Sequence, residues 1–228
     1  MFLKRSYQKE MMDDFSIIDE RIDTALSDLK IVNKFLGGTE TSIAGFKILF
    51  NGKKISNLRV LDIGAGASDI FHKLNNKFSN IHVYSLDRNK KICKMLSDRS
   101  GTVPIFGDVL QAPLKPKSVD VVHSSLFIHH FTEEEIKKII ISSLSTANYG
   151  IVINDLRRSV LALIGIILLT SLFSKSVLVK NDAPISIKRG FLKRELIILL
   201  EDLGINKYKI KRKWAFRWLI VIPGQQLI

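Results

Sequence analysis

Apolar and polar positions along the 228-residue chain fall into two textures. From 12 to 36, Ile17, Ile18, Ile22, Leu26, Leu29 and Val32 recur with a period near 3.6, which predicts a helix stopped by Gly37-Gly38. A shorter helix is expected at 41–50, ahead of an Asn51-Gly-Lys-Lys turn. Beyond it, short apolar runs at 58–63, 82–86, 103–106, 119–123 and 149–154 read as buried strands, because each is brief and several end in glycine or polar residues. Helical patterns at 68–78, 89–97 and 132–145 separate them. The last carries a capping box, Thr132 with Glu135 three residues on. Strands alternating with helices imply right-handed crossovers and a doubly wound, mostly parallel sheet. A helix at 193–203, ended by Gly204, precedes two strand-like runs, 206–212 and 216–222, close enough to pair as an antiparallel C-terminal hairpin. The fold class is α/β, with seven strands and an N-terminal helical extension.

One segment breaks the rhythm. Residues 159–174 are sixteen uncharged residues between Arg157-Arg158 and Lys175. A membrane-spanning helix needs about 20 apolar residues, so a core or interface helix is expected here. A lid over the substrate, a subunit contact and a membrane-facing surface are the other readings of an apolar helical insert at 159–187. The organisation expected is an N-terminal helical cap, 1–52, and one domain, 53–228, that contains the insert.

Composition sharpens this picture in three ways. The chain is 46% hydrophobic and 25% charged, which excludes wholesale disorder. A single cysteine, Cys93, excludes an intramolecular disulfide and a cysteine-built zinc site. The N-terminus shows no continuous apolar h-region, so a cytoplasmic location is expected. The net charge of +13 is uneven: residues 188–217 hold ten bases against three acids, whereas 1–30 hold seven acids against five bases. An anionic partner such as nucleic acid, a membrane surface or an acidic substrate fits that balance, as does a set of solvated lysines.

The chemistry concentrates at the ends of the expected strands. Asp62-Ile-Gly64-Ala-Gly66-Ala-Ser68 follows the first strand and opens the first helix, where glycines admit a ligand to the backbone and a helix N-terminus offers free N–H groups. Asp62, two residues before the first glycine, suits a ligand with a cationic amino end. Asp87 closes the second strand, where a carboxylate can accept both hydroxyls of a ribose; capping the next helix is its plain structural alternative. Gly107-Asp108-Val109 closes the third strand, placing a carboxylate where an exocyclic N–H could donate.

As a set, Val60-Leu-Asp-Ile-Gly-Ala-Gly-Ala-Ser68, Ser85-Leu-Asp-Arg-Asn89, Phe106-Gly-Asp-Val109 and Val121-Val-His-Ser-Ser-Leu-Phe-Ile-His-His-Phe131 resemble the class I S-adenosylmethionine-dependent methyltransferases, over about residues 58–155. The resemblance implies a Rossmann-like sheet and S-adenosyl-L-methionine as cofactor. It also implies that Asp62, Gly64 and Gly66 hold the aminocarboxypropyl end, Asp87 the ribose and Asp108 the adenine. Arg88, Gly107, Val109 and Ser124 lie in the same motifs and join the expected cofactor-binding residues. The family often has a third glycine where Ser68 stands. Asn33 to Gly38, Asn154-Asp155-Leu-Arg157-Arg158-Ser159, Asp182-Ala-Pro-Ile-Ser186 and Arg189-Gly-Phe191 add a narrower likeness to small-molecule methyltransferases of bacterial secondary metabolism, distantly similar to those of ubiquinone and menaquinone biosynthesis.

For the acceptor, the chain has His123-Ser-Ser-Leu-Phe127 in place of the Asp/Asn-Pro-Pro-aromatic loop of amino-methylating nucleic-acid enzymes. Cys93 lies in the second helix of the sheet domain, away from the place of a cysteine nucleophile. A small, largely apolar metabolite methylated on oxygen or carbon is therefore expected. His129 or His130 is the candidate general base, since a neutral imidazole suits that work near pH 7. Asn154 and Arg157, at the next strand end, are candidate substrate-binding residues, with a structural ion pair as the alternative for Arg157. Five scattered histidines give no metal-ligand spacing, so no metal is expected; His72 and His82 read as structural. Trp214, Phe216 and Trp218 alternate in the hairpin and read as core. Two rival functions remain: an RNA or DNA methyltransferase, and a cofactor-binding module without chemistry. A homodimer and a peripheral membrane contact stay open as partners.

Overall fold

The structure, a computed structural model, describes residues 4–14, 16–17, 19–53, 55–66, 74, 78, 80–98 and 101–224. The helix expected at 68–78 lies outside the described residues except for Leu74 and Phe78, both buried; Ser68 and His72 also lie outside them. The elements in chain order are α1 (Glu20–Phe35), α2 (Gly38–Leu49), β1 (Leu58–Ile63), β2 (Ile81–Asp87), α3 (Lys90–Ser97), β3 (Thr102–Phe106) and β4 (Val119–Ser125). They continue with α4 (Glu133–Thr146), β5 (Ala147–Leu156), α5 (Val160–Phe173), α6 (Val177–Arg189), α7 (Lys193–Asp202), β6 (Lys209–Lys213) and β7 (Arg217–Pro223).

The strands form one sheet in the order β3-β2-β1-β4-β5-β7-β6. β1 through β5 pair in parallel, and β7 runs antiparallel to both β5 and β6. The central strands read as continuous apolar runs because helices cover both faces, and the period of two assigns each residue a side. Val60, Val121, Val152 and Val221 meet Phe46 and Phe50, from α2 and its C-terminal end. Ile151, Ile153, Ile220 and Ile222 meet Ile136, Ile140 and Leu144 of α4 and Leu196 of α7 on the other face. Thus α2, which the sequence pattern put in a cap at 1–52, supplies core to the sheet.

The helix expected at 12–36 is shorter. Residues 11–13 make a single 3-10 turn, and α1 starts at Glu20 behind its N-cap Asp19. The cause is tertiary: the Asp182 carboxylate accepts from the backbone N–H groups of Met11 (2.7 Å) and Met12 (2.9 Å), tying this segment to α6. Strand β5 runs on to Leu156, so Asn154 and Asp155 lie within it, paired with Leu219 and Trp218. Residues 159–187 form two helices. Ser176 caps the second, accepting from Val179 N–H.

Candidate cofactor and acceptor cavity

The strand order reverses between β1 and β4. Crossovers leave in opposite directions there, so a crevice opens at the carboxyl ends of these strands. A cavity of about 910 Å³ occupies it. One end is walled by the loop after β1 and the ends of β2 and β3; the other is an apolar chamber between Leu26, Leu29 and Val32 of α1 and Ala162, Ile166 and Leu169 of α5.

At the first end, Gly64 and Gly66 have φ of +63° and +49°, a region L side chains rarely adopt. The turn is held by Gly64 N–H and Ala65 N–H donating to Leu86 O (2.9 and 3.2 Å). A Cβ on Gly66 would meet no atom of the described residues within 4 Å, so among them the backbone is open toward the cavity. Asp87 is buried and accepts from Gly66 N–H (3.0 Å) and Asn89 N–H (2.8 Å). Burial raises its pKa above the ordinary carboxylate value, and those backbone donors temper the rise. The cap of α3 is Asn89, whose side chain accepts from Lys91 N–H and Ile92 N–H, which leaves Asp87 to the loop and the cavity. Beyond it, Gly107, Asp108 and Val109 line the cavity, and Arg88 Nη1 stands 3.5 Å from Asp108 Oδ2.

Asp62 lines the same wall but is already engaged: its Oδ1 lies 2.7 Å from His123 Nδ1, and His123 Nε2 lies 2.9 Å from Ser42 Oγ. Alternation along β4 settles Ser124. His123 and Ser125 line the cavity, so the Ser124 side chain points to the opposite face; it is fully buried and is not among the lining residues. The expectation that its side chain contacts cofactor is corrected by that phase.

At the centre, His129 and His130 lie side by side, ring centroids 4.3 Å apart, in the turn after β4. His129 is buried, with Nδ1 at 2.7 Å from Asp155 Oδ1 and Nε2 at 3.6 Å from Glu10 Oε1. His130 Nδ1 lies 2.7 Å from Asp13 Oδ1. Burial alone would raise the pKa of Asp155, yet the charge and hydrogen bond of His129 and the Leu156 N–H hold it below the ordinary value. Glu10 goes the other way: burial pushes it up to about 7 against the pull of His130, Ser186 and Arg189. Its Oε1 has no hydrogen-bond partner among the described residues.

The N-terminal strand of chain that delivers Glu10 and Asp13 is held by two arginines. Arg189 donates to Asp13 Oδ2 (2.7 Å), Gln8 O (3.1 Å) and His129 O (3.1 Å). Arg5 Nη2 donates to His129 O (2.7 Å) and Phe131 O (2.9 Å). The ligand-type atoms of Glu10, His129 and His130 lie within 4.8 Å of one another, a grouping that histidine spacing in the sequence did not reveal. The Arg189 guanidinium, 3.8 Å from Glu10 Oε1, opposes a second cation there.

The two substrate candidates are not brought to the cavity. Asn154 is fully buried, donating to Gly38 O (2.9 Å), Ser42 Oγ (3.1 Å) and Ser125 Oγ (3.2 Å) and accepting from Arg217 Nη1 (3.2 Å). Arg157 lies over the Phe216 ring at 5.1 Å. Neither is among the described residues that line the cavity: Asn154 pairs with Leu219 inside β5, and Arg157, just past its end, is tied by its N–H to Phe216 O (2.8 Å). Trp218 is core, but Trp214, read as core, is 74% exposed and lines the cavity mouth.

Residues missed in the sequence are Glu10, Asp13, Ser42 and Leu126. Leu126 lines the cavity with a left-handed φ of +54°, held by its N–H donating to Asn154 O (2.8 Å). A non-glycine residue there carries about 1 kcal/mol of strain or more. Asp155 and Arg189 lay in noticed motifs without a role.

A loop open for close backbone approach, Asp62 beside it, a buried carboxylate at the end of β2 and a third acid after β3 make a set of groups that fits an adenosyl amino acid. Residues 61–142 match the family described as methyltransferase domain. An uncharacterized methyltransferase of Geobacillus sp. (strain WCH70) is 32% identical over 78 residues, 33% of this chain and 36% of that protein. One of Bacillus velezensis is 30% identical over 83 residues, 36% of this chain and 38% of that protein. These alignments therefore span little more than a third of each curated relative. Human N-acetylserotonin methyltransferase, solved with S-adenosylmethionine, superposes with a TM-score of 0.66 at 15% identity, covering 96% of this chain and 59% of that one. At that identity the likeness speaks for the fold. Over residues 61–142, which carry the glycine loop and most of the strands that frame the cavity, the chain matches the methyltransferase domain family, and the site fits S-adenosylmethionine as its cofactor.

Proposed function

We propose that the chain transfers a methyl group from S-adenosylmethionine to an oxygen or carbon of a small, largely apolar metabolite. The observation that carries this reading is the single cavity that joins the glycine loop to an apolar chamber, with two histidines at the junction. The fold neighbour named for N-acetylserotonin, a small molecule, agrees in kind.

When bound, the cofactor supplies an electrophilic methyl on a sulfonium. In this reading Gly64 and Gly66 admit its amino-acid end beside Asp62, Asp87 accepts from the ribose hydroxyls, and Asp108 accepts from the adenine. The apolar walls of α1 and α5 orient the acceptor and exclude water, which supplies much of the rate in an in-line transfer. His129 is the base. The Asp155 carboxylate accepts from Nδ1–H, so in the neutral ring the lone pair lies on Nε2. Glu10, 3.6 Å from Nε2 and with a pKa of about 7, can take up the released proton.

The test is S-adenosylhomocysteine formation with a panel of apolar phenols and enols. His129→Gln should lower kcat by about 10²–10⁴ while cofactor affinity by calorimetry stays near wild type. Turnover of His129→Gln within threefold of wild type removes the base assignment. Cofactor binding without turnover on any phenol or enol favours the non-catalytic module.

A further inference from the structure

We propose that the outer face of α5, with the basic segments around it, is a peripheral docking surface for an anionic lipid bilayer. The argument rests on the surface alone and does not depend on the acceptor's chemistry.

Helix α5 is apolar on every side, and the fold uses only one of them. Ala162, Ile166 and Thr170, four residues apart, are buried. Leu161, Ile164, Leu168 and Leu172 form the opposite stripe and are exposed by 69, 51, 59 and 73%. Phe173 and Val177 extend it at the C-terminal end, also exposed. A helix facing water carries polar residues on that side, so this stripe lacks a partner among the described residues. Two more exposed aromatics, Phe35 and Trp214, adjoin in sequence the pair whose backbones bond, Ala215 N–H donating to Leu36 O (3.1 Å), and Leu36 packs against the inner face of α5.

The charge around this face selects the occupant. Segments 29–39, 157–181 and 203–224, which build it and its margin, contain no Asp or Glu; Asp28, whose carboxylate accepts from the Ser174 hydroxyl and from the Lys175 and Ser176 N–H groups, is an acid at the C-terminal end of α5. They present Lys30, Lys34, Lys175, Lys180, Lys211 and Arg212, all exposed. A bilayer with anionic headgroups matches both features: the stripe enters the headgroup–acyl boundary while the lysines meet the phosphates. A second copy of the chain would bring two cationic margins together, and like charges oppose that pairing. At 1.5 Å per residue the 14-residue helix is about 21 Å long, against about 30 Å of hydrocarbon, and no described helix is long and apolar enough to cross a membrane. It lies on the surface. Ala162, Gly165, Ile166 and Leu169 on its inner side line the cavity, so docking would set the apolar chamber against the bilayer.

Flotation of the full chain, without cofactor, on vesicles of phosphatidylcholine alone and of phosphatidylcholine with phosphatidylglycerol tests this. The expected result is flotation with the anionic vesicles, about tenfold weaker without the anionic lipid and reversed by raised salt. L161E/L168E/L172E should lose about tenfold in binding while keeping the wild-type circular dichroism and S-adenosylhomocysteine affinity, because none of the three lines the cavity. Wild-type protein left at the bottom of the gradient overturns the proposal, as does unchanged flotation of the folded triple variant. A wild-type dimer that the triple variant turns to monomer assigns the face to a second copy instead. Resistance to carbonate extraction overturns the peripheral geometry.

Discussion

Gly64 was expected to leave room for the cofactor, but the structure gives its missing side chain a different neighbour. An ideal Cβ on Gly64 falls 2.0 Å from Phe127 Cδ2 and 2.2 Å from Cγ, whereas one on Gly66 meets nothing among the described residues within 4 Å. Carbon atoms rest about 3.5–4.0 Å apart, so the Phe127 ring must move by about 1.5 Å. That ring is packed edge-on against Phe131 at 4.9 Å, and its backbone N–H donates to the Asp155 carboxylate at 3.2 Å. Both glycines have positive φ, so alanine at either costs about 1–2 kcal/mol in backbone conformation. Only Gly64→Ala adds overpacking of about 1–3 kcal/mol. The unfolded-state entropy change is common to both substitutions and cancels in the comparison. Urea unfolding should therefore rank Gly64→Ala below Gly66→Ala by about 1–3 kcal/mol. Adding Phe127→Ala should recover that difference as a coupling energy. Calorimetry should show the reverse order of directness: Gly66→Ala weakens S-adenosylhomocysteine binding at nearly constant stability, because its Cβ enters open cavity. Equal stabilities, or a double-mutant cycle additive within about 0.3 kcal/mol, would refute the assignment of Phe127 as the obstacle.

Three further outcomes follow from buried charges. Glu10 is raised from 4.5 to about 7, so the folded state keeps a proton the unfolded chain has released; the stability it contributes is full below pH 4.5 and is lost as pH rises through 7. Glu10→Gln should flatten the pH profile of urea unfolding by about 3 kcal/mol between those limits, and an unchanged profile would contradict the buried, partnerless oxygen. Asp87→Ala removes the acceptor for Gly66 and Asn89 N–H groups and should weaken S-adenosylhomocysteine binding by about 1.5–3 kcal/mol, with Asp87→Asn between; a change below threefold by calorimetry removes its role at the ribose. Arg217 is buried, with its pKa lowered to about 10 by desolvation, and donates to Leu36 O, Asn33 Oδ1 and Asn154 Oδ1. Arg217→Met should cost about 3 kcal/mol in thermal or urea unfolding by leaving those acceptors short of donors, and a loss below about 1 kcal/mol means they find other partners.

Local signals were enough for the sheet and its loop. The period of 3.6 in α1, the short apolar runs of β1 to β5, and glycines placed just after β1 depend on neighbours within a few residues, and they specified the α/β architecture and the positions of Asp62, Asp87 and Asp108. Phase and partners depend on the whole fold. A strand buried on both faces is apolar at every position, so nothing local in Val121–Ser125 says whether His123 or Ser124 faces the cavity; packing against α2 decided for His123. Asn154, at the end of the expected strand, and Arg157, just past it, looked free to meet a substrate until pairing with β7 carried the strand on to Leu156 and buried Asn154 within it. Glu10 precedes the periodic pattern and Asp13 sits at its ragged start; Arg5, Arg189 and Asp182, the last two distant in sequence, bring them to the histidines. Helix α5 shows both limits. Its uniform apolarity was plain in the sequence, but a helix that is apolar all round carries no sign of which side the core will claim. The tertiary structure spent one side on the cavity wall and left the other facing outward.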